Sequence, residues 1–303
     1  MDGDDALDRP RTPVATPTTS PDAAPRSSRR RTPIRARARL TGMDSHLVIL
    51  GSCGAWPEPG RACSGFVVDH DGFRVVLDLG YRTLPRLLAY CESTTADGID
   101  AVVITHSHPD HMVDLHGLFR ARWFGHRDPP PIPLYAPEGV MARLRTLEDD
   151  EDGPLRHVFD WHPLPASPYE LGPFRLESIA LPHFVPNAGV RLSADGLVLA
   201  YTGDTGPDPA LDQLGRDADV YIVEATSRSQ QPGIPPAPTG PRMHLSAREA
   251  GQVAAAAGTK RLVLTHFWPG NDRARSAAEA SEVFGGEVLI AEEGRTIDLG
   301  LAR

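Results

Sequence analysis

The chain has 303 residues, 40% of them hydrophobic and 23% charged, enough length for one large domain or two small ones. No stretch reaches the roughly 18 uninterrupted apolar residues of a membrane-spanning helix. Three cysteines, Cys53, Cys63 and Cys91, are too few for a disulfide framework, which points to reduced thiols in a cytoplasmic protein. Residues 1–42 hold nine arginines against five aspartates, leaving 22 basic and 35 acidic residues in the remainder. An acidic body argues against broad electrostatic gripping of a polyanion.

Residues 1–42, rich in Pro, Thr, Ser, Ala and Arg without apolar periodicity, are predicted to be a disordered tail preceding a single domain at 43–303. Seven arginines between Arg26 and Arg39 could touch nucleic acid or anionic lipid, against the plainer reading of a solvated tail. No apolar core follows them, so the tail is not a secretory signal. Met43 directly precedes the first strand-like run and offers a second place for translation to start.

From Leu47 onward, short apolar runs alternate with turns and helical stretches. Strands are predicted at 47–50, 65–69 and 73–78, the last two joined by His70-Asp71-Gly72 as a hairpin turn. Further strands are predicted at 101–105, 174–180, 188–192, 197–202, 220–223, 262–265 and 287–291. Helices are predicted at 83–91, 112–124, 138–147, 246–257 and 273–284, with Ser246 and Glu249 forming a capping box for the fourth. The proline-rich segment 229–241 reads as a loop that could cover a site. No internal repeat is legible.

Chemistry concentrates in Thr105-His106-Ser107-His108-Pro109-Asp110-His111. This cluster follows an apolar strand, and α/β proteins place their sites in loops at the carboxyl ends of strands. On extended backbone His106 and His108 project to one side, and a turn at Pro109 sends Asp110 and His111 toward a second position. His183, Asp204, Glu224 and His266 each lie just past another apolar run. If those runs are neighbouring strands, all these side chains meet at one rim.

Neutral imidazole and carboxylate suit Zn²⁺, with Mn²⁺ and Fe²⁺ as alternatives, and no thiolate is in the set. Seven ligands divide over two ions. His106, His108 and His183 hold one; Asp110, His111 and His266 hold the other; Asp204 bridges them. Open coordination positions would favour catalysis over a structural role. His46, His70, His116, His126, His157 and His162 read as ordinary core or surface histidines, and the plain reading of Asp204 alone is a turn aspartate.

With those residues in hand, the chain resembles the metallo-β-lactamase fold superfamily over nearly all of 46–300. The resemblance rests on Gly51-Ser52-Cys53-Gly54, the His-x-His-x-Asp-His loop, Pro182-His183, Gly203-Asp204-Thr205 and Thr265-His266. It implies an α/β fold, the four-layer αββα sandwich, with a dinuclear site at one sheet edge. Glu224-Ala225-Thr226 and His244-Leu245-Ser246 resemble motifs of the branch that holds ribonuclease Z and cyclic-nucleotide phosphodiesterases. That branch implies an additional catalytic histidine at His244, paired with Glu224. Gly51 to Pro57 with Cys63-Ser64-Gly65 looks like a bacterial phosphodiesterase subgroup acting on cyclic AMP.

Ribonuclease Z enzymes carry a long arm that grips transfer RNA between the third histidine ligand and the bridging aspartate. Only 20 residues separate His183 from Asp204, enough for a hairpin. The expected activity is therefore hydrolysis of a small phosphodiester, cyclic AMP-like nucleotides first. Asp110 would orient the attacking water, and His244, held charged by Glu224, would act as general acid. The alternatives are an RNA-processing nuclease using the arginine tail, a lactone, thioester or β-lactam hydrolase on the same site, and a binding protein on an inherited fold. By family analogy a homodimer is expected; no membrane partner is.

Overall fold

The computed structural model describes residues 45–125, 130–148, 153–230 and 241–300. The predicted tail at 1–42, His126 and most of the 229–241 loop lie outside these residues.

The first half runs β1 (Ser45–Gly51), β2 (Gly65–His70), β3 (Phe73–Leu79), α1 (Leu84–Cys91), β4 (Ala101–Val103), α2 (Pro109–Gly125), β5 (Ile132–Ala136), α3 (Glu138–Glu148), α4 (Pro154–Val158) and β6 (Phe159–Pro163). The second runs β7 (Tyr169–Leu171), β8 (Phe174–Leu181), β9 (Asn187–Ala194), β10 (Leu197–Tyr201), α5 (Ala210–Leu214), β11 (Val220–Glu224), α6 (Ala247–Ala256), β12 (Arg261–Thr265), α7 (Arg273–Ser281), β13 (Glu287–Ile290) and β14 (Thr296–Asp298). The described strands form two seven-stranded sheets, ordered β14-β1-β2-β3-β4-β5-β6 and β13-β12-β11-β10-β9-β8-β7.

Both sheets follow one plan. In the first, β14·β1, β1·β2 and β2·β3 pair antiparallel, then β3·β4, β4·β5 and β5·β6 pair parallel. In the second, β7·β8, β8·β9 and β9·β10 are antiparallel, then β10·β11, β11·β12 and β12·β13 are parallel. The halves are thus a topological repeat, although no repeat is legible in the residues. The repetition lives in strand order and direction, which many apolar sequences satisfy equally well.

Three apolar layers account for the stacking. Phe66, Val68, Leu77 and Val103 of the first sheet meet Leu176, Val190, Leu199, Ile222 and Val263 of the second in a core between the sheets. The alternate residues Val67, Val76 and Val102 face outward onto Leu87, Met112, Leu115 and Leu118 of the helices. On the far side Tyr221, Val223, Leu262 and Leu264 pack on Leu211, Ala250, Ala254 and Ala280. Strands buried on both faces must read as continuous apolar runs, which is why the sequence shows them so plainly. The result is the helix–sheet–sheet–helix sandwich expected from the resemblance.

Local sequence sets the corners. Asp71 and Gly72 both have positive φ, 53° and 86°, the requirement of a type I′ hairpin between β2 and β3. Ser246 caps α6, its hydroxyl accepting from the Glu249 N–H while the Glu249 side chain accepts from the Ser246 N–H. Two expectations change. β4 is shorter than predicted because Thr105 leaves the ladder, its N–H donating to Asp78 at 2.8 Å. Helix α2 begins at Pro109, whose fixed φ and missing N–H suit a first helical position. Asp110 and His111 therefore sit on the first turn of a helix, where the sequence suggested a loop.

Candidate metal centre

The carboxyl ends of the parallel strands of both sheets face one rim, and the polar residues expected there converge. His106 and His108 follow β4, Asp110 and His111 open α2, and His183 follows β8. Asp204 follows β10, Glu224 ends β11 and His266 follows β12. His106, His108, His183 and Asp204 have ligand atoms within 4.8 Å of one another, as do Asp110, His111, Asp204 and His266. Asp204 is common to both groups. Its Oδ2 lies 3.1 Å from His266 Nε2, 3.7 Å from His183 Nε2 and 3.9 Å from His106 Nε2, and its Oδ1 lies 3.2 Å from His111 Nε2.

These atoms are buried without ordinary satisfaction. His106 Nε2, His111 Nε2 and Asp204 Oδ1 are inaccessible and have no hydrogen-bond partner. An unsatisfied buried polar atom costs about 1–3 kcal/mol, so three around one small space are hard to explain by packing. The facing Asp204 and His111 atoms approach without hydrogen-bond alignment, as two lone pairs aimed at a shared cation would. The donor set, imidazole nitrogen and carboxylate oxygen, fits Zn²⁺, Mn²⁺ or Fe²⁺.

The surrounding hydrogen bonds fix each ring's tautomer. Tyr201 and Thr105 hydroxyls donate to the Asp78 carboxylate at 2.7 and 3.0 Å, and His111 Nδ1–H donates to it at 2.7 Å. Thr105 has then spent its only proton on Asp78, so its oxygen accepts from His106 Nδ1–H at 3.0 Å. Thr226 likewise donates to Glu224, so it accepts from His266 Nδ1–H at 2.9 Å. His183 Nδ1 faces the Met243 carbonyl at 3.1 Å and must donate. In all four rings the proton sits on Nδ1 and Nε2 is directed inward, the arrangement that outer hydrogen bonds impose on metal-binding histidines. That Nε2 is without any partner in His106 and His111, faces His108 Nδ1 at 3.0 Å in His183 and faces Asp110 Oδ2 at 3.2 Å in His266.

Asp78 is the residue that sequence reasoning missed. It sits at the end of the apolar run 73–78, the same placement that singled out Asp204 and Glu224, so the signal was present. Gly54 is a second omission. A Cβ there would stand 2.7 Å from the His266 ring, so only glycine lets the β1 loop pass that close. The next residue's N–H, Ala55, donates to Asp110 Oδ2 at 2.6 Å.

Charge preferences follow from burial and neighbours. Burial holds His106 well below the usual imidazole range and His183 down at about 4. Burial opposes charge at His111 too, but Asp204, Asp78 and Asp110 outweigh it and raise that ring well above its ordinary value. Three carboxylates around one buried point demand positive charge, which a divalent cation would supply in place of a proton.

Beside this group stands His244, its side chain 22% exposed. His244 Nδ1 lies 3.1 and 3.2 Å from the two Glu224 oxygens. Glu224 is fully buried and also accepts from the Thr205 N–H at 2.6 Å. Burial alone would depress His244, but the Glu224 carboxylate overrides it and lifts the ring to about 9. Glu224, His244 and His266 also lie within metal-binding distance of one another. Their facing atoms are already engaged by these hydrogen bonds, so an ion pair describes them better. Of the histidines read as ordinary, the described ones take no part in any such cluster.

The chain belongs to the β-lactamase superfamily: the profile described as "Beta-lactamase superfamily domain" matches residues 74–267. A Mycobacterium tuberculosis protein (strain ATCC 25618 / H37Rv) is 32% identical over 267 residues, covering 86% of this chain and 94% of its own length. The probable metallo-hydrolase YhfI of Bacillus subtilis is 27% identical over 251 residues, covering 82% of this chain and 97% of YhfI. Its crystal structure superposes with a TM-score of 0.72 at 25% identity, over 85% of this chain and 100% of YhfI. A protein named ribonuclease Z from Kineococcus radiotolerans is 29% identical over 268 residues, covering 73% of this chain and 82% of its own. Fold, relatives and the clustered candidate ligands agree on a metal-dependent hydrolase. Among the described residues no helix is long and apolar enough to cross a membrane.

Proposed function

We propose that the chain is a two-metal phosphodiesterase acting on small phosphodiesters, with cyclic nucleotides such as cyclic AMP as the leading substrate. His106, His108 and His183 would hold one ion, Asp110, His111 and His266 the other, with Asp204 bridging. Bound there, two divalent cations make water acidic enough to attack at neutral pH and neutralise charge on phosphoryl oxygens. Zn²⁺ is the first choice of metal, with Mn²⁺ or Fe²⁺ as alternatives. Asp110, anchored by the Ala55 N–H, orients the attacking water and takes its proton.

The observation that carries the reading is the His244–Glu224 pair. A ribose alkoxide is a poor leaving group and needs a proton as it departs. His244 is partly exposed, charged through Glu224 and 3.9 Å from Asp204, so it can deliver that proton at the rim. A lactone or thioester makes less demand for such a donor. The interval between His183 and Asp204 is filled by the β9–β10 hairpin, and the expected net charge of 43–303 is strongly negative; both favour a small substrate over transfer RNA.

The pair is tested with His244→Ala on two substrates. Hydrolysis of cyclic AMP should fall by about 10²–10⁴-fold, while an aryl phosphodiester, whose phenolate leaves without protonation, should lose far less. Equal losses on both would remove His244 from the acid role.

A second reading is kept by the Kineococcus ribonuclease Z likeness and the arginine-rich tail: cleavage of RNA, with 1–42 as tether. Deleting 1–42 should then abolish RNA cleavage and spare small diesters.

A further inference from the structure

A cavity of about 620 Å³ opens beside the candidate metal centre, between α2 and α3. Ser107 and Pro109, the two neighbours of His108, form part of its wall, so it begins one residue from the candidate ligands. The rest of the wall includes Tyr81, Met112, Val113, Arg143 and Leu147. Small-molecule sites are mostly apolar cavities of about 300–1,000 Å³ with a few placed polar groups, and this one has that character. Leu147 is 52% exposed, a large apolar side chain on a helix surface left unburied. Arg143 adds a cation in a body that carries 22 basic against 35 acidic residues after position 42.

We infer that this cavity receives the non-reacting part of the substrate, a nucleoside fragment whose base lies against Met112, Val113 and Leu147 and whose ribose or phosphate oxygens face Arg143. The inference rests on the phosphodiesterase reading and adds to it a subsite, outside the candidate ligands, for the nucleoside part of the substrate. A planar base has two apolar faces to cover and polar edges that tolerate an open mouth. Arg143 supplies forked N–H donors for phosphate or ribose oxygens. An alkyl or simple aryl diester would reach the metal centre without filling this space, so the cavity should separate nucleotides from small diesters.

Two variants test it. Ala142→Trp, at an exposed position of α3 on the cavity wall, fills the space; Arg143→Glu inverts its charge. Isothermal titration of the metal-loaded full chain with adenosine 5′-monophosphate should show affinity reduced by about tenfold or more in each, equivalent to about 1.4 kcal/mol. Inorganic phosphate should bind Ala142→Trp much as it binds the wild type. KM for cyclic AMP should rise while kcat changes little, and the loss on an aryl phosphodiester should be several-fold smaller. Unaltered nucleotide affinity in Ala142→Trp, with circular dichroism showing an intact fold, overturns the pocket whether or not cyclic AMP is cleaved. Nucleotide binding lost in Ala142→Trp by a protein inactive on all diesters supports the pocket and overturns only the phosphodiesterase reading.

Discussion

At the scale of single residues, the candidate centre is governed as much by what stands behind the ligands as by the ligands themselves. Asp78 is fully buried and gathers Thr105, His111 and Tyr201 on one carboxylate. Through Thr105 it also sets the proton of His106. Replacing it with Asn keeps the shape but offers an amide N–H₂ where an acceptor is needed, and His111 loses the partner that holds its proton on Nδ1. We expect Asp78→Asn to weaken metal binding by about 10–100-fold, the usual cost of removing such a partner. Competition with a chromophoric chelator measures it, and loss of the His111 Nδ1–H signal by NMR separates this effect from mere destabilisation. The seven candidate ligands were legible because each is a residue type that resists burial, set just past an apolar run. The tautomer network was not legible, since Thr226 meets His266 and Thr105 meets Asp78 only across folded distance.

At the scale of elements, legibility followed length. The long apolar runs and helices α1, α3, α6 and α7 were predictable, as was the hairpin turn through His70, Asp71 and Gly72. Strands β5, β6, β7 and β14 and helices α4 and α5 were not predicted; each spans three to five residues, too few for a period to show. Helix α2 was placed three residues late because His-x-His-x-Asp-His drew a loop reading past the helix-starting signal of Pro109. The capping box of α6 was predicted and is present in full. It matters to the site because His244 lies two residues before the cap. Ser246→Ala should cost about 1 kcal/mol, read as a lower denaturant midpoint at unchanged slope. The same variant should lower turnover of the nucleotide more than that of an aryl diester, because the segment carrying His244 loses its anchor.

At the scale of the whole molecule, the sandwich was foreseen through the family's motifs, while its internal duplication was hidden. Each half contributes strand ends to one rim: β3 and β4 from the first sheet, β8, β10, β11 and β12 from the second. Neither half holds a complete set of candidate ligands, so cations at the rim would tie the two sheets together. Bound ions stabilise the folded form by mass action, and a chelator should lower the thermal midpoint as well as abolish activity. Seven side chains from both sheets would together form one two-ion site. Elemental analysis of the purified full-length chain after exhaustive dialysis tests it most directly. Two divalent transition-metal ions per chain are expected, falling toward one or none in Asp204→Asn because both groups share that carboxylate. A wild-type chain that retains no divalent ion, and takes none up on titration, would contradict the account.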